Sequence, residues 1–306
     1  MEAEERKAEI KRAVRTAFVF MIMAVFAGQI LSAVLSPAPP KTYEIVCMVI
    51  GALIALTGRS KPEKGALTAT ANRMTGRAFI VTLGAFMAAK LLSMAASAAL
   101  MLLFADESSA EALQGLETLG DNLLMSFLFL GIFTPICEEA VFRGCIGNGF
   151  KKHGIRFAMI MSSLLFAMYH CNLFQLISTF LPGIVLFYVA MNYSIKWSIL
   201  FHFINNGVLS IGSIALKQAF PDSPSAGIAD YAIEGALVIA ALLLMRKDNA
   251  VEKVRAFLSG PEDEKGAYKA AIGNGWFILM AIVLAVVTAA LLLMIGGGMA
   301  DSLAGV

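Results

Sequence analysis

Apolar runs that approach or exceed the roughly 20 residues a helix needs to cross a bilayer recur from end to end of this 306-residue chain. Nothing else in the sequence narrows its fold as much. Hydrocarbon offers the backbone no water, so such runs bond internally as helices. Composition agrees: 58% of the residues are hydrophobic and 15% charged, against roughly 45–50% and about 25% in soluble domains. Hydropathy predicts nine spans, near residues 17–36, 44–58, 78–104, 122–148, 155–171, 173–192, 196–216, 227–245 and 275–297. The expectation is an all-α, polytopic membrane helix bundle of about eight or nine transmembrane helices. The second run is the shortest, and residues 155–171 and 173–192 form a tight hairpin turning near Cys171-Asn172.

Loop charge orients the bundle, because Lys and Arg favour the cytoplasmic side. Arg6, Lys7, Lys11, Arg12 and Arg15 precede the first run, and Arg59, Lys61, Lys64, Arg73 and Arg77 follow the second. Lys151, Lys152 and Arg156 follow the fourth, Lys196 the sixth, and six more lie from Arg246 to Lys269. The alternate loops hold only Lys41 and Lys217, and Ala105–Asp121 is purely acidic. Alternating spans then put the N-terminus in the cytoplasm and the C-terminus outside. Residues 1–16 mix acids with bases and do not read as a secretory n-region. Three stretches are expected: a charged lead-in with three spans (1–121), a core of four (122–217), and two spans joined by a cytosolic loop (218–306). Net charge is only +2, and no basic run interleaved with aromatics points to nucleic acid.

Charge inside the runs is the second constraint, since an ionised group in hydrocarbon costs several kcal/mol unless paired or set in a polar cavity. Pro135-Ile136-Cys137-Glu138-Glu139-Ala140-Val141-Phe142-Arg143 carries two carboxylates and a guanidinium. Glu139 and Arg143 are four apart, so they share a helical face and pair. Glu138 points about 100° away and is left to face a cavity. Pro135 should loosen the helix where the site begins. Two of only three histidines also fall inside runs: His170 after Phe166, and His202 with Asn206 four residues on. A helix ruler sets Glu138 roughly 18 Å, His170 roughly 24 Å, His202 roughly 9 Å and Asn206 roughly 15 Å from the cytoplasmic ends. Those depths straddle the mid-membrane.

Glu-Glu-x-x-x-Arg, Phe-x-x-x-His and His-x-x-x-Asn, in this order on successive membrane helices, resemble the CPBP family. That family holds the type II CAAX prenyl endopeptidases and the bacteriocin-processing and abortive-infection-like proteins. The likeness covers about residues 122–212. It implies an intramembrane endopeptidase with a cavity open to the cytosol, sited in the plasma membrane if the cell is prokaryotic. It also implies that Glu138 and His170 activate a water while His202 and Asn206 stabilise the oxyanion. Glu139, Arg143 and Phe166 then support them. No cofactor is expected to be required; the alternative is Zn2+ held by Glu138, His170 and His202, although the HExxH helix of zincins is absent.

The expected partners are a membrane-anchored peptide or protein substrate and the bilayer. An idle scaffold or immunity protein of the same fold, or a proton-coupled transporter, is the competing reading, since buried Glu, His and Lys also build proton relays. Inverted repeats of the transporter kind are not visible, nor are GxSG or GxGD motifs in a span. Elsewhere, His153 is expected at the surface, and the four cysteines as reduced, buried packing residues. Lys90 is expected to be snorkelling or locally paired, Asp230 and Glu234 to line a short wet cleft, and residues 248–272 to form an amphipathic interfacial segment. Gly296-Gly297-Gly298 reads as the start of a flexible end.

Overall fold

In the computed structural model, the described residues are 2–35, 38–39, 41–57, 70–102, 122–220, 223, 228–259 and 266–304, with side chains described for 4–293 of these. Every regular element among them is a helix. We label them α1 (Glu4–Val34), α2 (Thr42–Thr57), α3 (Gly76–Met101), α4 (Leu123–His153), α5 (Ile155–Tyr169), α6 (Leu173–Asn192) and α7 (Ile195–Ala219). α8 (Ala229–Asp248), α9 (Ala250–Leu258), α10 (Ala267–Ile272) and α11 (Gly275–Ala304) follow. The acidic stretch 105–121 and the basic residues Arg59, Lys61 and Lys64 lie outside the described residues.

Six of the nine predicted spans are long and apolar enough to cross a membrane: α1, α3, α4, α6, α7 and the Gly275–Leu293 part of α11. α2 and α5 have 16 and 15 residues, so at 1.5 Å per residue each falls short of the roughly 30 Å hydrocarbon core. α8 is long enough, but Asp230, Glu234, Arg246, Lys247 and Asp248 dilute its apolar run. The Gly296–Gly298 expectation is corrected: α11 stays helical to Ala304. Glycine weakens a helix by only about 1 kcal/mol per residue, and the apolar residues before this triplet carry the helix through it.

α4 is the structural centre. It packs against α1, α2, α5 and α7, while α3 is clamped between α6 and α8. Phe20 of α1 stacks on Tyr169 and meets Phe142 edge-on, with centroids 5.3 and 5.8 Å apart. Phe142 in turn meets Phe166 at 5.4 Å. These aromatics close the space behind the α4 carboxylates, at separations where edge and stacked contacts are attractive. On its other side α4 meets α7 backbone to backbone: a Cβ built on Gly131 would lie 2.9 Å from the Gly207 Cα.

The helices beside that contact depart from α geometry. α4 widens into π-type turns over Phe127–Phe133 and Glu139–Gly147, and α7 does so over Ile204–Ser210. Wide turns of this kind gather at functional sites because they re-aim side chains. Here Pro135, which cannot donate, stands between the two wide segments of α4. Asn148 steadies the second by donating its side-chain amide to the carbonyls of Arg143 and Gly144, each at 3.2 Å.

The α5–α6 hairpin forms as expected. Cys171 takes φ of 60° at the turn, and the Asn172 side chain caps α6 by accepting from the Gln175 amide at 2.8 Å. His153 corrects the surface expectation, being only 5% exposed. It ends α4 in a short 3-10 turn against Glu9 of α1, which also pairs with Lys152, and packs edge-on to Phe157. Basic neighbours in sequence suggested solvent; the α1 carboxylate draws that turn inward instead. All four cysteines are buried, and none forms a disulfide among the described residues.

Candidate active site

The three predicted motifs lie on α4, the end of α5 and α7. Glu138, Glu139 and Arg143 are all buried, the last two with no exposure at all. Glu139 Oε1 lies 3.1 Å from Arg143 Nη1, the i,i+4 pair read from the sequence. Arg143 has two further anchors: Nη2 donates to the Gly183 carbonyl at 3.1 Å, and the guanidinium carbon lies 4.3 Å from the centre of the Phe166 ring. Phe166 thereby gains a concrete role as the face on which the cation rests.

Glu139 has more partners than an ion pair needs. Its Oε1 also accepts from His202 Nδ1 at 3.1 Å, and its Oε2 accepts a short hydrogen bond from Ser198. Ser198 Oγ sits within 3.1 Å of the Leu186 carbonyl as well, which ties α6 into the same network. A carboxylate paired with Arg143 only accepts, so the facing nitrogen of His202 carries a proton. The other nitrogen, Nε2, is thus held toward Glu138, 3.8 Å from its Oε2. That oxygen has no hydrogen-bond partner among the described residues.

His170 follows the last residue of α5, half-buried, and its Nδ1 donates to the Phe166 carbonyl at 2.9 Å. Its second nitrogen is then unprotonated in the neutral ring and able to accept. His170 and His202 both stand edge-on to Phe166, at 5.1 and 6.1 Å between centroids. Asn206 is less tightly drawn in. It donates to the Leu130 carbonyl of α4 at 3.3 Å and accepts from Asn205, and no direct bond joins it to Glu138 or His170. Its amide keeps one further hydrogen to donate.

The structure therefore joins Glu138, Glu139, Arg143, Phe166, His170 and His202 into one cluster, with Asn206 a helical turn beyond His202. Residues 120–208 match the Rce1-like family of type II CAAX prenyl endopeptidases. The match begins just before α4, ends within α7 and agrees with the CPBP resemblance carried by the motifs. Comparisons with curated proteins and with solved structures gave no match.

Within this Rce1-like segment, sequence reading missed two side chains. Ser198 precedes His202 by four residues, one turn along the same face, and that spacing was the available signal. Tyr169, 4% exposed, presents its hydroxyl to Glu138 and had no signal beyond its place before His170. The Gly183 and Leu186 carbonyls carry no signal in sequence at all. Among the described residues, no three His, Cys, Asp or Glu side chains are grouped so as to hold a metal ion. His202 gives Nδ1 to Glu139, and His170 gives Nδ1 to a backbone carbonyl.

Lys90 lies outside the cluster. It pairs with Glu234 of α8 at 2.5 Å, with Lys90 14% exposed and Glu234 fully buried. The locally paired reading of Lys90 holds.

Proposed function

We propose that this protein is an intramembrane endopeptidase that hydrolyses a peptide bond of a membrane-associated peptide or CAAX-like protein. One observation carries the reading. A buried carboxylate oxygen of Glu138, without a hydrogen-bond partner among the described residues, stands 3.8 Å from a histidine nitrogen whose ring is fixed from behind by Glu139. The Rce1-like match over the same helices supports it.

A water placed between Glu138 and His170 loses its proton to the Glu138 carboxylate as its oxygen adds to the scissile carbonyl carbon. Nε2 of His170, free to accept, orients that water. The carbonyl oxygen becomes an oxyanion and takes hydrogen bonds from His202, protonated on Nε2, and from the remaining amide hydrogen of Asn206. Glu139, backed by Arg143, stabilises that protonated ring. Glu138 then passes its proton to the leaving amine as the C–N bond breaks. General acid–base transfer of this kind contributes typically 10²–10⁴-fold, and a fixed oxyanion donor about 10²–10³-fold. On this reading the substrate reaches the cluster from the cytoplasmic side, where the basic loops lie.

The test is cleavage of membrane-anchored and prenylated reporter peptides by the purified protein in detergent, with and without a zinc chelator. Glu138→Ala and His170→Ala should each lose more than about 99% of activity while eluting as folded protein, and the chelator should leave wild type active. Cleavage abolished by the chelator and restored by zinc would replace this chemistry with a metal-bound one. A folded wild type that cuts nothing in a panel cut by active relatives would favour the idle scaffold.

A further inference from the structure

A cavity of about 490 Å³ lies on the far side of α6 from the catalytic cluster. Its walls come from α3 (Val81), α6 (Ile184, Val185), α8 (Val238) and α9 (Val254, Phe257). The size falls within the roughly 300–1,000 Å³ of ligand pockets. Its few polar lining groups are already engaged. Thr82 donates to the Ala78 carbonyl at 2.7 Å, the Tyr188 hydroxyl accepts from Asn192 at 3.1 Å, and Asp248 pairs with Lys253 at 2.8 Å. An occupant therefore meets a lining that is almost wholly apolar, and hydrocarbon is what fits.

The mouth is different. Arg77 donates to the Lys247 carbonyl at 2.8 Å, beside the lining residue Asp248. Arg77, Arg246, Lys247, Lys253 and Arg255 are all exposed there, against Glu252 and the already paired Asp248. α9 carries Val251 and Val254, 53% and 41% exposed, among these charges, the pattern of a helix lying at a membrane interface. Basic residues at such a surface attract anionic headgroups.

We propose that the α3–α6–α8–α9 cavity holds an acyl chain of an anionic glycerophospholipid whose headgroup sits on the Arg77/Arg246/Lys247 rim. The site bears on the cluster through α6. Gly183 and Leu186 offer their carbonyls to Arg143 and Ser198, while the intervening Ile184 and Val185 line the cavity. A chain filling it braces the segment of α6 that anchors the cluster.

The experiment is native mass spectrometry of the full chain from detergent, followed by delipidation and thermal unfolding with added phosphatidylglycerol or phosphatidylcholine. One phospholipid should stay bound per chain, and phosphatidylglycerol should raise the unfolding temperature more than phosphatidylcholine. Val185→Phe with Ala88→Phe should abolish retention and the shift. Arg246→Gln with Lys247→Gln, at the exposed rim, should keep retention but erase the preference for the anionic lipid. Equal shifts from both lipids in wild type would overturn the proposal, as would retention of an isoprenoid instead of a phospholipid. If the filled variant does not fold, the wild-type lipid identity and the rim variant decide the matter alone.

Discussion

Two buried ion pairs stand in the same bundle, and they are built differently. Glu139 and Arg143 are both fully buried and share a further hydroxyl, imidazole, backbone carbonyl and aromatic face. Lys90 and Glu234 join α3 to α8 by a single contact, and the second oxygen of Glu234 has no hydrogen-bond partner among the described residues. Burying two charges is expensive, and their attraction offsets this only when the remaining lone pairs and protons are satisfied. The first pair meets that condition on the carboxylate side and uses the surplus to orient His202. The second links two helices that already pack closely along their length. Burial alone therefore does not mark a catalytic charge; the number and kind of neighbours does.

Removing the cation is the hardest blow to this comparison. Arg143→Met should destabilise the protein by about 3–5 kcal/mol, the usual cost of stranding a buried charge, and reduce cleavage of a reporter peptide below detection. Arg143→Lys should rescue little, because an ammonium cannot serve Glu139, the Gly183 carbonyl and the Phe166 ring together. Substantial rescue by lysine would mean that only the charge matters, and the distinction between the pairs would weaken.

Ser198→Ala probes the link between Glu139 and α6. Leaving a buried acceptor short of one hydrogen bond costs about 1–3 kcal/mol. The expected result is a fall in kcat of roughly tenfold, about 1.4 kcal/mol in the barrier, with KM little changed. A KM effect with kcat intact would assign Ser198 to substrate binding instead.

The smallest effect belongs to the other pair. Lys90→Met with Glu234→Gln, which deletes both charges, should leave reporter cleavage within about twofold of wild type and unfolding little altered, since replacing both partners of a buried pair is often near neutral. Loss of cleavage comparable to that of Arg143→Met would join the two regions into one functional unit.

The Glu139–Arg143 pairing was legible because it is local. The two are four apart, and helix geometry alone aligns them, whereas Asn206, four residues after His202, bonds to the Leu130 carbonyl and to Asn205 instead. Phe166 was legible only as a motif letter, since its contact with Arg143 crosses between helices. The depth argument failed to bring Glu138 and His202 level, although their side chains lie 3.8 Å apart. A uniform rise of 1.5 Å per residue ignores the wide turn that begins at Glu139, between Glu138 and the cytoplasmic end of α4. His153 was misread for a related reason, because its partner Glu9 sits in a helix more than a hundred residues earlier.

The contact of Gly131 with Gly207 sets a tolerance for the whole site. Two α-carbons serve as a spacer between the helix that bears Glu138 and the helix that bears His202 and Asn206. The thinnest possible side chain on either residue would act as a shim, meeting the Gly207 Cα at 2.9 Å from one side or the Phe203 ring at 2.8 Å from the other. The gap between Glu138 and His202 is thus gauged by two residues outside the cluster, and the spacing that the proposed reaction needs is set by the absence of a methyl group.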